Sequence, residues 1–409
     1  MRSFLLALAI LLVVFPISAL GAEDEGGIDV IDVSGPLDRS ALEFMKSSIE
    51  AAAERGQVLA VLQINSPAVL DGEALQDLIE IVEDSPLPVA VWVGPAPAVA
   101  YGGAAQIVLE AERSAISPGS HLGIFTPTIA GDDVGNVLTD DLAHVPSAEE
   151  TGLDLQPTIR QYLQDLDGET FQTSAGPVVV ETLKPYEGGV TLKTVTFRQP
   201  GIGTRFFRLA VTPEAAFFFL VVGLTIVSFE FFAIGPGVAA GVAAISLLLA
   251  GWGMVNLPVR LWAFGLAVTG WAVLTASYQK GGVVALTILG ALLMQIGGMW
   301  YVDGSGQIDP RWFLILPSVL AVLFFFLLAM PTVQRARFST QTIGRDSLIG
   351  KEGVALVGFD PDGIVEVQGA RWRATAHREA NVVTGSAVVV TGVDGLFLEV
   401  DRITPDREN

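Results

Sequence analysis

The chain of 409 residues contains no cysteine. That absence excludes disulfides, thiolate zinc sites, iron–sulfur clusters and a cysteine nucleophile. Histidine is scarce too: His121, His144 and His377 stand far apart, so no histidine-rich metal site is expected. Lysine occurs at five positions, with none between Lys46 and Lys184. Charged residues make up 16% of the chain, where a typical soluble domain carries roughly 25%. With 51% hydrophobic residues, the chain is neither one soluble domain nor a disordered one. Its net charge of −21 is uneven, because residues 23–189 hold 29 acidic against 6 basic residues. Such a surface repels nucleic acid and anionic lipid. No basic patch supports a nucleic-acid partner, and no motif asks for a cofactor.

What is present begins with a short positive start, Met1-Arg2-Ser3, and an apolar run from Phe4 to Leu20 broken by Pro16. Ala19-Leu20-Gly21 then sets small residues where a signal peptidase needs them. Residues 1–21 are expected to be a secretory signal peptide cut after Gly21 or Ala22, with an uncleaved anchor helix as the alternative. Either way the acidic segment lies outside the cytoplasm.

Residues 22–195 alternate strand and helix patterns. Ile28–Val33, Val58–Ile64 and Val89–Val93 have the composition of strands, and Ser40–Arg55 and Gly72–Ile81 the spacing of helices. This order implies a parallel sheet with right-handed crossovers. After Ile124 the pattern weakens. Asp132, Asp133, Asp140 and Asp141 suggest a solvated loop without the spacing of a calcium-binding EF-hand.

Residues 196–213 are expected to be a linker. Over 214–332 apolar stretches fall at 215–234, 237–255, 261–277, 282–301 and 312–331, each near the roughly 20 residues that cross a bilayer. The second and fourth open alike, Gly-Val-Ala-Ala-Gly and Gly-Val-Val-Ala-Leu, as a weak internal repeat. Five spans put the C-terminus on the cytoplasmic side. Lys280, Arg335, Arg337 and Arg345 agree with that orientation, whereas Arg198, Arg205 and Arg208 do not. After a second linker, 333–344, residues 345–403 hold five short strand patterns separated by turns such as Asp360-Pro361-Asp362-Gly363. They predict a small closed barrel, followed by a tail at 404–409.

The most specific stretches are C-terminal. Ile343-Gly344-Arg345-Asp346-Ser347-Leu348-Ile349-Gly350-Lys351-Glu352-Gly353 is followed by Asp362-Gly363-Ile364-Val365-Glu366-Val367, Trp372-Arg373-Ala374 and Val393-Asp394-Gly395-Leu396. With Phe229-Glu230-Phe231-Phe232 ending the first span, they make the chain resemble the long-form NfeD family. The resemblance implies a multidomain architecture. An α/β extracytoplasmic domain of the ClpP/crotonase type would precede a transmembrane helix bundle and an all-β OB-fold. It also implies a stomatin/flotillin-type (band 7) partner on the cytoplasmic face of the cell membrane, and a Ser/Lys peptidase site.

That site needs a serine hydroxyl, a lysine to take its proton and backbone amides for the oxyanion. The family's Pro-Ser-Gly-Ala-x-Ala-Ala-Ser-Ala-Gly aligns without a gap on Pro95-Ala96-Pro97-Ala98-Val99-Ala100-Tyr101-Gly102-Gly103-Ala104. The nucleophile position becomes Gly102. The family's Asp-Thr-Pro-Gly-Gly oxyanion loop becomes Asn65-Ser66-Pro67-Ala68-Val69, with Ala68 and Val69 in place of both glycines. No lysine follows at the distance where the base belongs. Ser66, Ser114, Ser117 and Ser120, the last beside His121, are the alternative nucleophiles. They are weighed against turn and packing roles.

Two further positions stand out. Glu230 is the one acidic residue within the five apolar stretches, and an ionisable group at membrane depth is a functional candidate. Its alternative is an interfacial carboxylate that positions a turn. Trp372, flanked by Arg371 and Arg373, is either a partner-binding aromatic or a barrel-core residue with outward arginines. The expectation that follows is a non-enzymatic, homo-oligomeric membrane scaffold with a degenerate protease-like domain. The alternatives are an active membrane-bound serine protease cleaving hydrophobic segments of stomatin-like proteins, and a transporter for which the spans offer no evident path.

Overall fold

The computed structural model describes residues 26–132, 143–233, 237–332, 345–360, 362–376 and 381–403. The expected signal peptide, Asp133, Asp140, Asp141, His377, Arg335 and Arg337 lie outside them. The chain divides into two compact units, up to Met330 and from Pro331 onward.

The first unit opens with β1 (Ile28–Ser34), α1 (Arg39–Glu54), β2 (Leu59–Asn65), α2 (Gly72–Glu83) and β3 (Val89–Val93), close to the patterned segments. β4 (Val99–Tyr101), α3 (Gly103–Glu110), β5 (Arg113–Ile116) and β6 (His121–Phe125) follow. After them come β7 (Ala143–His144), β8 (Asp154–Leu155), α4 (Ile159–Asp165), two hairpins, β9 (Thr170–Thr173) with β10 (Gly176–Val179) and β11 (Leu183–Tyr186) with β12 (Gly189–Leu192), and β13 (Val195–Arg198). Six strands form one parallel sheet in the order β13-β1-β2-β3-β5-β8, and β4-β6-β7 make a second small sheet. This is the parallel α/β architecture that the alternating strand and helix patterns imply. β3 is apolar throughout and β2 is so up to Leu62, because helices and hairpins cover both faces, as parallel sheets require. Leu42, Met45, Ile49, Leu75 and Leu78 from α1 and α2 close one face over Leu62 and Val91. Tyr162, Leu163 and Phe171 close the other over Val61 and Trp92.

The expected linker over 196–213 is instead structured. Its first residues extend β13, whose backbone pairs in parallel with β1 from Ile28↔Val195 to Ile31↔Arg198. A helix α5 (Ile202–Arg208) follows. The buried Asp29 carboxylate explains the order there, because it receives Arg55 at 2.5 Å and Arg198 at 3.1 Å.

Five apolar helices then follow: α6 (Pro213–Ala233), α7 (Val238–Asn256), α8 (Leu261–Gln279), α9 (Val284–Met299) and α10 (Trp312–Phe324), the last continued by one wide turn over Phe325–Ala329. Among the described residues, four helical segments are long and apolar enough to cross a membrane, whereas α9 has 16 residues. α6 and α7 pair, as do α8 and α9, so the two similar stretches are each the returning helix of a hairpin. α8 and α9 meet backbone to backbone. A Cβ at Gly270 would stand 2.6 Å from Met294 N, and one at Gly297 the same distance from Ala267 N. Small residues in this pattern let membrane helices approach closely.

The second unit is a closed barrel of β14 (Glu352–Val357), β15 (Asp362–Val367), β16 (Ala370–Ala376), β17 (Ala387–Asp394) and β18 (Phe397–Arg402), in the order β14-β15-β16-β18-β17. Only β16 and β18 are parallel, as in an OB-fold. Val365, Val367, Ala374, Val388, Val390, Leu398 and Val400 fill its interior.

Candidate functional site

The residues that the resemblance assigns to catalysis meet where the small sheet crosses the end of the large one. β2 runs into Ser66, whose amide donates to the Val99 carbonyl at 2.7 Å and whose carbonyl accepts from Tyr101 N at 3.1 Å. The loop then turns through Ala68 and Val69, both fully buried. β4 ends at Gly102, which has φ 56° and ψ −121° and starts α3. Glycine is the residue that takes such a positive φ without strain. The backbone thus bends sharply from strand to helix, but at its apex there is no side chain.

The space that a side chain at Gly102 would enter is filled. A Cβ added there would overlap the Thr128 carbonyl oxygen and the Gln307 side-chain oxygen Oε1. Thr128 belongs to the segment 127–131, which lies alongside the loop. Gly103 N donates to the Thr128 carbonyl at 2.9 Å, and Ala130 N donates to the Val69 carbonyl at 3.0 Å. Val69 and Ile129 form a parallel bridge, a register that turns the Val69 amide toward the same Thr128 carbonyl. Ile129 packs on the sheet-and-helix core and Ala130 on the core of the membrane helices.

Gln307 comes from the other side. It sits in the turn between α9 and α10, 8% exposed, and its Nε2 donates to the Pro127 carbonyl at 2.9 Å. Asp309 shapes this turn by accepting from Gly304 N at 2.9 Å and Gly306 N at 3.1 Å. Ser305 and Gly306 both have positive φ, the geometry of a tight primed turn. Ser305 Oγ receives Gly131 N at 3.2 Å. The turn is braced by Arg260, which pairs with Asp303 at 2.7 Å. Ala68 itself packs with Leu257, Tyr301, Val302 and Ile308. The α/β domain therefore seats its cleft on the loops that join the membrane helices.

Three of the four alternative serines have hydrogen-bonded hydroxyls. Ser66 Oγ donates to the Ala68 carbonyl at 2.9 Å, Ser120 Oγ accepts from Ala98 N at 3.0 Å, and Ser117 Oγ donates to the Pro157 carbonyl at 3.4 Å. His121 and Lys184 are exposed. Burial pushes the Tyr101 phenol upward, so it is no base near neutrality. Among the described residues, no cluster of three or more His, Asp or Glu side chains is placed to hold a metal.

Glu230 lies three residues before the end of α6, half-buried, with Oε2 enclosed and unpartnered among the described residues. In the barrel, Trp372 is half-buried and packs against the interior. Arg371 and Arg373 point outward. Arg373 stands over the Phe397 ring at 4.5 Å and near Asp362 at 3.8 Å. Sequence reasoning missed Gln307, Ser305 and the segment 127–131. Only the glycine-rich, turn-forming run Asp303-Gly304-Ser305-Gly306 hinted at a built loop.

Comparison with known proteins gives two family matches. Residues 214–330 match the NfeD integral membrane domain, and residues 345–402 match the NfeD-like C-terminal, partner-binding domain. Membrane-bound protease PH1510 of Pyrococcus horikoshii is 23% identical and is covered over 98% of both chains. Among solved structures, the 1510-N membrane protease specific for a stomatin homolog from Pyrococcus horikoshii is 16% identical with a TM-score of 0.36. It covers 45% of this chain and 98% of its own. The C-terminal domain of stomatin operon partner protein 1510-C from the same organism is 30% identical with a TM-score of 0.15, over 15% and 98%. Both matched domains stand in this order behind an α/β domain, as in the long-form NfeD family that the sequence resembles.

Proposed function

We propose that this protein is a non-hydrolytic member of that family. On this reading it is a membrane scaffold whose α/β domain lies outside the cytoplasm and whose barrel engages a stomatin- or flotillin-type membrane protein inside. The observation that carries it is Gly102. The strand-to-helix bend that would present a nucleophile holds no side chain, and the space beyond it is filled by Thr128 and Gln307. No hydroxyl stands at that bend to attack, and the sequence has no lysine between Lys46 and Lys184 to activate one. The partner-binding description of the matched barrel domain supports the stomatin-type partner. Homo-oligomerisation belongs to the same proposal.

The second reading is an active protease, favoured by the full-length relative whose name says protease. One experiment separates the two. The full chain in lipid nanodiscs is incubated with peptides matching the apolar C-terminal segment of a stomatin-like protein, and products are read by mass spectrometry. Intact peptides alongside co-purification of the stomatin-like protein support the scaffold. Cleavage abolished by one serine substitution overturns it.

A further inference from the structure

The segment 127–131 lies where a substrate would lie. It runs parallel to the Val69 strand edge, and its carbonyl at Thr128 accepts from Gly103 N, the amide directly after the missing nucleophile. A serine side chain at Gly102 would be aimed at that same carbonyl. Two contacts hold the segment from the membrane side: Gln307 Nε2 on the Pro127 carbonyl, and Ser305 Oγ on Gly131 N. Both come from the α9–α10 turn. One detail sets the latch apart from ordinary packing. The buried Gln307 Oε1, which takes the space a side chain at Gly102 would need, has no hydrogen-bond donor among the described residues. An orphaned buried acceptor weighs against the closed arrangement and favours its release.

We infer that residues 127–131 are a built-in pseudosubstrate, latched by the α9–α10 turn, and that the cleft between Val69 and Gly103 takes an extended peptide when the turn withdraws. The inference rests on the non-hydrolytic reading in treating the cleft as a binding groove. The ligand class follows from the occupant. It is an extended segment that pairs through its backbone, places a branched apolar side chain where Ile129 sits and a small one where Ala130 sits. β-Strand addition of this kind draws affinity from main-chain hydrogen bonds and selectivity from alternate pockets. The state of the membrane helices would then decide whether the outer domain binds.

The test uses the full chain in nanodiscs and a fluorescein-labelled peptide of residues 125–132, read by anisotropy. The unmodified chain should bind it weakly, because its own segment competes. Gln307→Ala should tighten binding by about tenfold, since apparent affinity scales with the open fraction. It should also speed deuterium exchange at Gly103 and Ala130. The lack of native cysteine permits a second variant at less buried positions. Asp132→Cys with Ser305→Cys should bind the peptide when uncrosslinked and lose binding once bridged by a short bismaleimide. Equal binding in the unmodified, Gln307→Ala and crosslinked forms overturns the latch. Mass spectrometry on the same samples keeps the two claims apart. Cleaved peptide defeats the non-hydrolytic reading while latch-dependent binding still stands, and intact peptide with latch-independent binding defeats the latch alone.

Discussion

The cleft at Gly102 and the face of the barrel around Arg373 are both built from short strands, yet they treat their polar groups in opposite ways. In the cleft the loop amides, the Thr128 carbonyl and the Gln307 amide nitrogen are turned inward on one another. On the barrel, Arg371 and Arg373 face outward, and Arg373 stacks on Phe397 at the surface. A self-satisfied surface has little to offer a partner until it opens, whereas an outward guanidinium over an aromatic ring is ready for one. The proposed reading accordingly puts regulated binding in the α/β domain and standing recognition in the barrel.

The comparison breaks most severely where the α/β domain is tied to the membrane segment. Asp38 is buried and forms an ion pair with Arg208 at 3.2 Å, while Arg208 also donates to the Ser34 and Pro36 carbonyls. Asp38→Ala strands a buried guanidinium and should cost about 3–5 kcal/mol. Thermal unfolding should show the first unit melting earlier and the barrel unchanged, and an equal shift in both would contradict two independent units.

Next in size is Gly102→Ser. Overpacking against Thr128 and Gln307 should cost about 1–3 kcal/mol, with a further penalty from the positive φ. No peptidase activity should appear, because the lysine base is still missing. Casein or peptide cleavage by this single variant would sink the non-hydrolytic reading.

A smaller effect tests the scaffold beneath the cleft. Asp71 caps α2, accepting from Ala74 N at 2.9 Å and pairing with Arg39 at 2.8 Å. Burial works against its charge, but the Ala74 amide and the guanidinium outweigh it and hold the carboxyl below its ordinary range. Its folded pKa is thus depressed. The stability it contributes is present above the unfolded value of about 3.9 and is lost as pH falls through the folded value. Asp71→Ala should cost about 0.5–2 kcal/mol at pH 7 and less as pH falls through the folded value. A penalty independent of pH would show that the charge is irrelevant.

The smallest change in stability and the sharpest in function is expected on the barrel. Arg373→Ala removes an exposed cation–π contact worth about 0.5–1 kcal/mol. It should leave the barrel folded by circular dichroism while reducing co-purification of a stomatin-like partner. Undiminished co-purification would move the recognition face elsewhere on the barrel.

Much of the architecture was legible because it is local. The apolar runs of β2 and β3, the helical spacing of Leu42, Met45 and Ile49, the membrane stretches and the barrel turns all carry their signal within ten or twenty residues. The part after Ile124 was not. β7 and β8 have two residues each, and the hairpins from Thr170 to Leu192 are largely exposed, so neither shows a periodicity to detect. The vacancy at Gly102 was readable from the motif. Its occupant was not, because Gln307 stands 180 positions from Pro127, and no window along the sequence brings them together. Trp372 was ambiguous for a simpler reason. An Arg-Trp-Arg triplet alternates equally well in a barrel wall and on a binding surface.

The glycine contact between α8 and α9 has a mechanical meaning. With Gly270 and Gly297 leaving no side chain between the backbones, the hairpin behaves as a stiff lever, and the turn that carries Gln307 rides on its tip. A 16-residue helix such as α9 is about 24 Å long, so a tilt of about 5° sweeps its end by about 2 Å, enough to part a hydrogen bond. Bilayer thickness, lipid packing or a neighbour pressing on the opposite end would each supply such a tilt. The hairpin would then act as a gauge that converts the condition of the membrane into the opening of a cleft outside it.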